Sequence, residues 1–365
     1  MPLSQIQLSS STGRRNMIIN GDMRIAQRSV NVTNISTTDT YYTADRWKLW
    51  IGSAGTFTNS ITTVDDVRIP GFRQGFKYEC TSSVGSVSSS SSMIFTYNME
   101  RHDSLSVKKG YPDAEYITVS FYVKSSVTGK YVLEIYDNVN TRHCSKGYTI
   151  NRPNVWEYKT ITFPPDFTGR MHPANTLGFA FYWWLFAGST YAGGELTETW
   201  QGVVQNQRAG GGTANIGLTS GATWEITGMQ LEVGDTATDF AHERYADTIL
   251  KCYRYYYAHK GMLWGITSAG DHLDLNLTFP VPMRTTPSRT QVDTSLLFKN
   301  RLDQNNSTSA TTYSYSGVVS PTGDFWVARP GSGDSWGVSY TSSDTHAVYY
   351  HVHEGTTSYA WSAEL

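Results

Sequence analysis

Two adjacent tryptophans, Trp183 and Trp184, carry the clearest chemical signal in the chain. Sugar rings bind by stacking their apolar C–H faces on indole or phenol rings while neighbouring polar side chains take the hydroxyls, so aromatics set among Asn, Asp and Gln mark glycan recognition. The pair sits in the alternating run Leu177 to Phe186. Its period of two places Phe179, Phe181 and Trp183 in one row and Tyr182, Trp184 and Phe186 in the other. Neither row suits ordinary solvent surface. One is core; the other is an oligomer interface, further core or a glycan platform. Trp50 is a third glycan-binding candidate, because Trp47, Leu49 and Ile51 share one strand face and leave Trp50 to face elsewhere. In the C-terminal part Trp326, Trp336, Tyr340, Tyr349 and Trp361 permit the same reading, with core as the default.

Residue sets for catalysis are scarcer. Glu195 and Glu198 lie beside Trp200 in a Gly-rich segment and read as solvated loop charges, and neither an H-E-x-x-H motif nor a Gly-rich phosphate loop is present. A non-enzymatic chain is expected. His351 and His353 stand at i and i+2, which on a strand turns both imidazoles to one face. One chain then supplies two ligands, too few for a metal site, and the plain alternative is a pair of partly exposed histidines on an edge strand.

Strands must position most of these residues. The chain has 365 residues, enough for two domains with cores of their own, and joins only 16% charged residues to 32 Gly and 24 Tyr, a mixture suited to short strands and turns. The expected fold class is all-β: an N-terminal jelly-roll sandwich, one short linking helix and a smaller C-terminal β-sandwich. The expected divisions are an arm over 1–15, the jelly roll over 16–238, a helical, tyrosine-rich connector over 239–258 and the second sandwich over 259–365. At the end of the first sandwich, Trp224, Ile226, Met229, Leu231 and Val233 alternate with one slip at Gly228, the pattern of a kinked strand. Asp239 then reads as a helix cap. Tyr245, Ile249, Cys252, Tyr253 and Tyr256 fall on one helical face, which either closes the base of the sandwich or meets other copies of the chain.

Other partners are limited by composition. Lys and Arg number 29 against 31 Asp and Glu, a formal charge of -2 with no basic block, so nucleic-acid binding is not expected. Cys80, Cys144 and Cys252 form neither a disulfide framework nor a zinc motif, and folding in a reducing cytoplasm fits them. There is no signal-peptide pattern at the start and no apolar run of about 18 residues, so no membrane insertion is expected. Residues 1–15 are small and polar, ending in Arg14-Arg15; they read either as a mobile terminus or as an attachment arm with Ile6 and Leu8 laid along a partner.

Several segments carry a family resemblance. Asn16-Met-Ile-Ile-Asn-Gly-Asp-Met-Arg-Ile-Ala-Gln-Arg28, Tyr42-Thr-Ala-Asp-Arg-Trp47, Trp224-Glu-Ile-Thr-Gly-Met-Gln-Leu-Glu-Val-Gly234, Phe240-Ala-His-Glu-Arg-Tyr245 and Cys252-Tyr-Arg-Tyr-Tyr-Tyr257 resemble the tail-fibre and related virion structural proteins of tailed bacteriophages over most of residues 16–257. The opening and closing strands also resemble the jelly rolls of carbohydrate-binding modules, where an Asn-Gly-(Asp or small)-Phe-Glu turn feeds a structural calcium. Here Met23-Arg24 stands in place of Phe-Glu, leaving Asp22 and Glu232 as the oxygen ligands the resemblance implies. It further implies a homotrimer on a virion, assembled in the host cytoplasm, that contacts other tail or capsid proteins and a host surface glycan. In such a trimer His351 and His353 would line the axis as a metal stripe, and Tyr245, Ile249, Tyr253 and Tyr256 would meet around it. No cofactor is required beyond a structural calcium or such an axial ion. The expected role is a tail fibre or receptor-binding component held by its N-terminal arm; a capsid decoration or head-fibre protein is the alternative, followed by a glycan-degrading enzyme.

Overall fold

Period-two alternation becomes antiparallel pairing throughout. The computed structural model of the chain describes residues 16–259, 263–268, 272–291, 296–300, 307–310, 316–328, 346–351 and 359–365. Ile6, Leu8 and His353 lie outside the described residues, and for His351 the backbone alone is described. The described chain is all-β with short helical turns and divides into two units, the first reaching Arg244 and the second spanning Tyr245–Glu364.

In the first unit the strands are β1 (Asn31–Ile35), β2 (Thr38–Tyr41), β3 (Trp47–Gly52), β4 (Thr56–Thr63), β5 (Gln74–Ser82), β6 (Ser92–Glu100), β7 (Ile117–Ser125), β8 (Gly129–Asp137), β9 (Arg142–Ile150), β10 (Glu157–Phe163), β11 (Leu177–Ala187), β12 (Gln201–Gly202) and β13 (Thr223–Val233). They form a six-stranded sheet, β1-β4-β5-β13-β7-β10, and a seven-stranded sheet, β12-β9-β8-β11-β6-β3-β2. This is a sandwich of jelly-roll type. Inward rows of both sheets meet in one aromatic core: Trp47 stacks on Phe95 with ring centres 4.8 Å apart, and Phe95 lies 5.9 Å from Trp183 and 5.5 Å from Trp224. Burying rings of this size is the main favourable contribution to the fold.

The slip expected at Gly228 is a β-bulge, with the β13–β7 register shifting between Thr227 and Gln230. Gly228 has φ +62, and a Cβ there would sit 2.8 Å from the Phe72 ring, so both backbone conformation and space require glycine. The strand expected at the start of the unit does not form. Instead the Asn16 side chain donates to Met229 O at 3.0 Å and accepts from Leu231 N at 3.1 Å, so a carboxamide takes ladder groups that a regular strand would have used. Asn20 fixes the following turn in the same way, bonding both N and O of Ile25.

The expected connector is shorter than its pattern. Asp239 caps nothing; residues 239–244 run without regular structure, held by Gln230, whose amide donates to Asp239 O at 3.2 Å and accepts from Ala241 N at 2.7 Å. The helix spans Tyr245–Tyr253, and its buried residues are Thr248 and Cys252 rather than the tyrosines. Tyr256 begins a strand, Tyr256–His259, so it does not continue the face of Tyr245, Ile249 and Tyr253. Tyr245 is exposed and Ile249 and Tyr253 are half-buried.

In the second unit that strand pairs with Tyr359–Ser362, which pairs in turn with Ser288–Gln291. A seven-stranded antiparallel sheet accompanies this three-stranded one. Asp324 joins the two sheets: its carboxylate accepts from Trp361 Nε1 at 2.7 Å and from Arg289 at 3.0 Å. Trp361 is fully buried, against Tyr257 and Phe279.

Candidate functional site

The outward rows of the seven-stranded sheet carry the site. Register aligns Trp50 of β3 with Ile94 of β6, Trp184 of β11 and Val132 of β8, and the next row aligns Lys48, Thr96, Tyr182 and Glu134. A strand pair alone would leave both rows to solvent. The segment between β11 and β13 prevents this on one half of the face. It turns back through the short helix Ser189–Ala192, adds β12 at the sheet edge beside β9, and lays Tyr191 on Trp184 with ring centres 5.1 Å apart. Ile94, Val132, Trp184, Ala187 and Ala209 thereby become a second, smaller core.

Where this cover stops, a groove of about 370 Å³ opens, lined by Asp39, Lys48, Trp50, Tyr182, Tyr191, Gln205 and Arg208 among others. Trp50 stands on its wall at 45% exposure, and its Nε1 donates to Ser92 Oγ at 3.1 Å, which fixes the plane of the indole. Arg208 arrives from the 3-10 turn Gln205–Gln207, and its guanidinium lies between 5.3 and 5.5 Å from the rings of Tyr182, Trp184 and Tyr136. Below it Glu134, fully buried, accepts from Arg208 Nε at 2.9 Å and from Trp184 Nε1 at 2.8 Å, with His143 Nδ1 at 3.3 Å.

The electrostatics follow from that stack. Burial works to raise the Glu134 pKa, but the charge and hydrogen bond of Arg208, together with His143, outweigh it and hold the carboxylate below its ordinary range. Burial also works to lower the Arg208 pKa, and Glu134 more than offsets it. The Tyr182 hydroxyl is pushed up to about 12 by burial. Lys48 pairs with Asp39 at 2.7 Å. The groove therefore offers one half-exposed indole, phenol rings and a guanidinium held by a committed carboxylate. Asp39 is the one acidic side chain among the residues lining the groove.

The sequence-derived candidates divide accordingly. Trp183 is not a ligand-binding residue: its row faces the other sheet and it is fully buried at the centre of the core. Trp184 does belong to the outward row but is sealed by Tyr191 and committed to Glu134. Phe186 leaves that row, because a register shift between Trp184 and Phe186 turns it into the main core. Trp50 alone of the three remains available to a ligand. Arg208 and Tyr191 were hidden in a segment that reads as a Gly-rich loop. Glu195 and Glu198 are exposed on that same segment.

The calcium implied by the resemblance does not fit. Arg24 stands where the motif would have an acid, and its Nε lies 3.0 Å from Asp22 Oδ2, neutralising that carboxylate. Burial nevertheless holds the Asp22 pKa above its ordinary value against the pull of Arg24. Glu232 is taken by Thr238, accepting from its N at 2.9 Å and its hydroxyl at 2.5 Å, and by the Gln230 amide at 2.9 Å. Among the described residues no group of three His, Cys, Asp or Glu side chains is placed to hold a metal. No described helix is long and apolar enough to cross a membrane.

No protein-family model matches the sequence, and no curated protein matches it. Among solved structures, the enzymatically active domain of tailspike protein 4 of bacteriophage CBA120 aligns with 60% of this chain at 14% identity and TM-score 0.30. The alignment spans 21% of the tailspike chain. A CBM4 structure aligns over 59% of this chain and 97% of its own at 13% identity and TM-score 0.30. The family 11 carbohydrate-binding module of the cellulosomal cellulase Lic26A-Cel5E of Clostridium thermocellum aligns over 57% and 99% at 10% identity and TM-score 0.28. Likenesses of this size carry no weight on what the chain binds.

Proposed function

We propose that this chain is a non-enzymatic saccharide-binding component of a phage particle, and that the groove beside Trp50 holds the saccharide. One observation carries the reading. A half-exposed indole, oriented by Ser92, shares a groove with Tyr182, Tyr191 and the guanidinium of Arg208. A sugar ring stacked on Trp50 would meet hydrogen-bond donors and acceptors within one groove, the combination that saccharide recognition needs. The likeness of residues 16–257 to tail-fibre proteins supports placing the chain on a virion, as a trimeric tail fibre or receptor-binding part held by residues 1–15.

A glycan array probed with the full chain tests the binding. Signal on a defined subset of saccharides is expected, and an array silent throughout overturns the proposal. The trimer has its own test in light scattering of the purified protein, where a monomeric mass removes it.

A further inference from the structure

Arg208 uses one corner of its guanidinium inside the protein and leaves the rest to the groove. Its Nε donates to Glu134 Oε1 at 2.9 Å, but Glu134 Oε2 accepts from Trp184 Nε1 at 2.8 Å, so the ion pair is not bidentate. Of the two terminal nitrogens, Nη1 has one long contact, 3.5 Å to Gln205 Oε1, and Nη2 has none among the described residues. Glu134 is fully buried while the Arg208 side chain keeps 15% exposure, so the part that lines the groove is the Nη end. That end is a planar fork of N–H donors, the shape that matches two oxygens of a carboxylate or a phosphate.

The surroundings fix the fork and isolate it. Tyr136, Tyr182 and Trp184 surround the guanidinium at 5.3 to 5.5 Å and, with the Nε bond, hold its plane, so a ligand need not order it. Glu134 cancels its charge from beneath, which leaves directed hydrogen bonding rather than a net positive field. Lys48, on the same wall, is paired with Asp39 at 2.7 Å and does not compete. Register then sets the distance from fork to stacking ring. Trp50, Ile94 and Trp184 align on three neighbouring strands, β3, β6 and β11, and the guanidinium lies 5.4 Å from the Trp184 ring. Indole and fork therefore stand two strand spacings apart, roughly 10 Å. A single sugar on Trp50 does not span that gap; a linked neighbour does.

We propose that the groove takes an acidic oligosaccharide, in which one ring stacks on Trp50 and the carboxylate or phosphate of the adjoining sugar is gripped by Nη1 and Nη2 of Arg208. The inference rests on the saccharide reading and adds the charge class of the ligand.

The test sets each acidic glycan beside its neutral counterpart on one array probed with the full chain: sialyllactose with lactose, a hyaluronan oligosaccharide with its carboxyl-reduced form, and an oligosaccharide bearing mannose 6-phosphate with its dephosphorylated form. In at least one pair the acidic member should bind about tenfold more tightly or better, and the pairs that respond separate carboxylate from phosphate. Arg208→Lys keeps a cation for Glu134 but has no fork, and should shrink that acidic-to-neutral ratio by about tenfold. Should Arg208→Lys not fold, the ratio in wild type decides alone. Signal confined to neutral glycans, or equal within every pair, overturns the inference and leaves the saccharide reading standing, as does a ratio that Arg208→Lys leaves unchanged. An array silent throughout removes both.

Discussion

The two sheets of the first unit both carry covered aromatic rings on their outer faces, Tyr122 against Phe72 and Tyr158 on the six-stranded sheet and Trp184 against Tyr191 on the seven-stranded one, and they differ in the charges set beside those rings. On the six-stranded sheet the outward positions form a charge ladder: Glu225 of β13 stands opposite Lys77 of β5 and Lys124 of β7, with Lys124–Glu225 at 2.9 Å and Lys77–Glu79 at 2.8 Å. On the seven-stranded sheet the equivalent positions are Trp50, Ile94, Tyr182, Trp184 and a fully buried Glu134. Strand alternation is the same on both. What sets the seven-stranded face apart is the 188–213 excursion, which lays Tyr191 on Trp184 and Arg208 on the buried Glu134 and leaves a groove at its margin. A binding face here is made by what covers its neighbour.

That contrast can be broken by substitution. Trp183→Ala, which empties the shared core beneath the groove, should cost about 4–5 kcal/mol in denaturant unfolding of the first unit. A loss under about 1 kcal/mol would mean that Trp183 is not core. Glu134→Ala should cost somewhat less, about 3 kcal/mol, by stranding Arg208 among three aromatic rings. Its acid dependence has a definite sign. The folded pKa of Glu134 lies below the unfolded value of about 4.3, so its contribution is complete above that pH and is lost as pH falls through the folded value. Glu134→Gln should therefore flatten stability below about pH 4.3, and an unchanged acid limb would remove the ion pair from the account. On the ladder face Lys124→Ala should cost less again, about 1–2 kcal/mol, because it leaves the buried Glu225 carboxylate without its ammonium and uncovers the Trp156 ring.

Much of this was legible in the alternating strands, and the exceptions have physical causes. The bulge at Gly228 and the core row of Trp47, Leu49 and Ile51 follow from local period and backbone freedom alone. Period two divides Trp183 from Trp184 but assigns neither to the inside, because that choice depends on which row meets the other sheet. Arg208 and Tyr191 escaped because their partners, Glu134 and Trp184, belong to different elements and nothing local announces the contact. Arg24, two residues from Asp22, is a local signal against a cation there, since it pairs with that carboxylate. The helix ends at Tyr253, short of Tyr256, because Tyr256 fits both the helical period and the strand that it begins.

The most direct measurement is the affinity of wild type, Trp50→Ala and Lys124→Ala for the strongest saccharide found on an array. Trp50→Ala should weaken binding by tenfold or more, about 1.4 kcal/mol, while Lys124→Ala binds as wild type does. Unchanged binding by Trp50→Ala, or a loss confined to Lys124→Ala, would contradict the assignment of the groove.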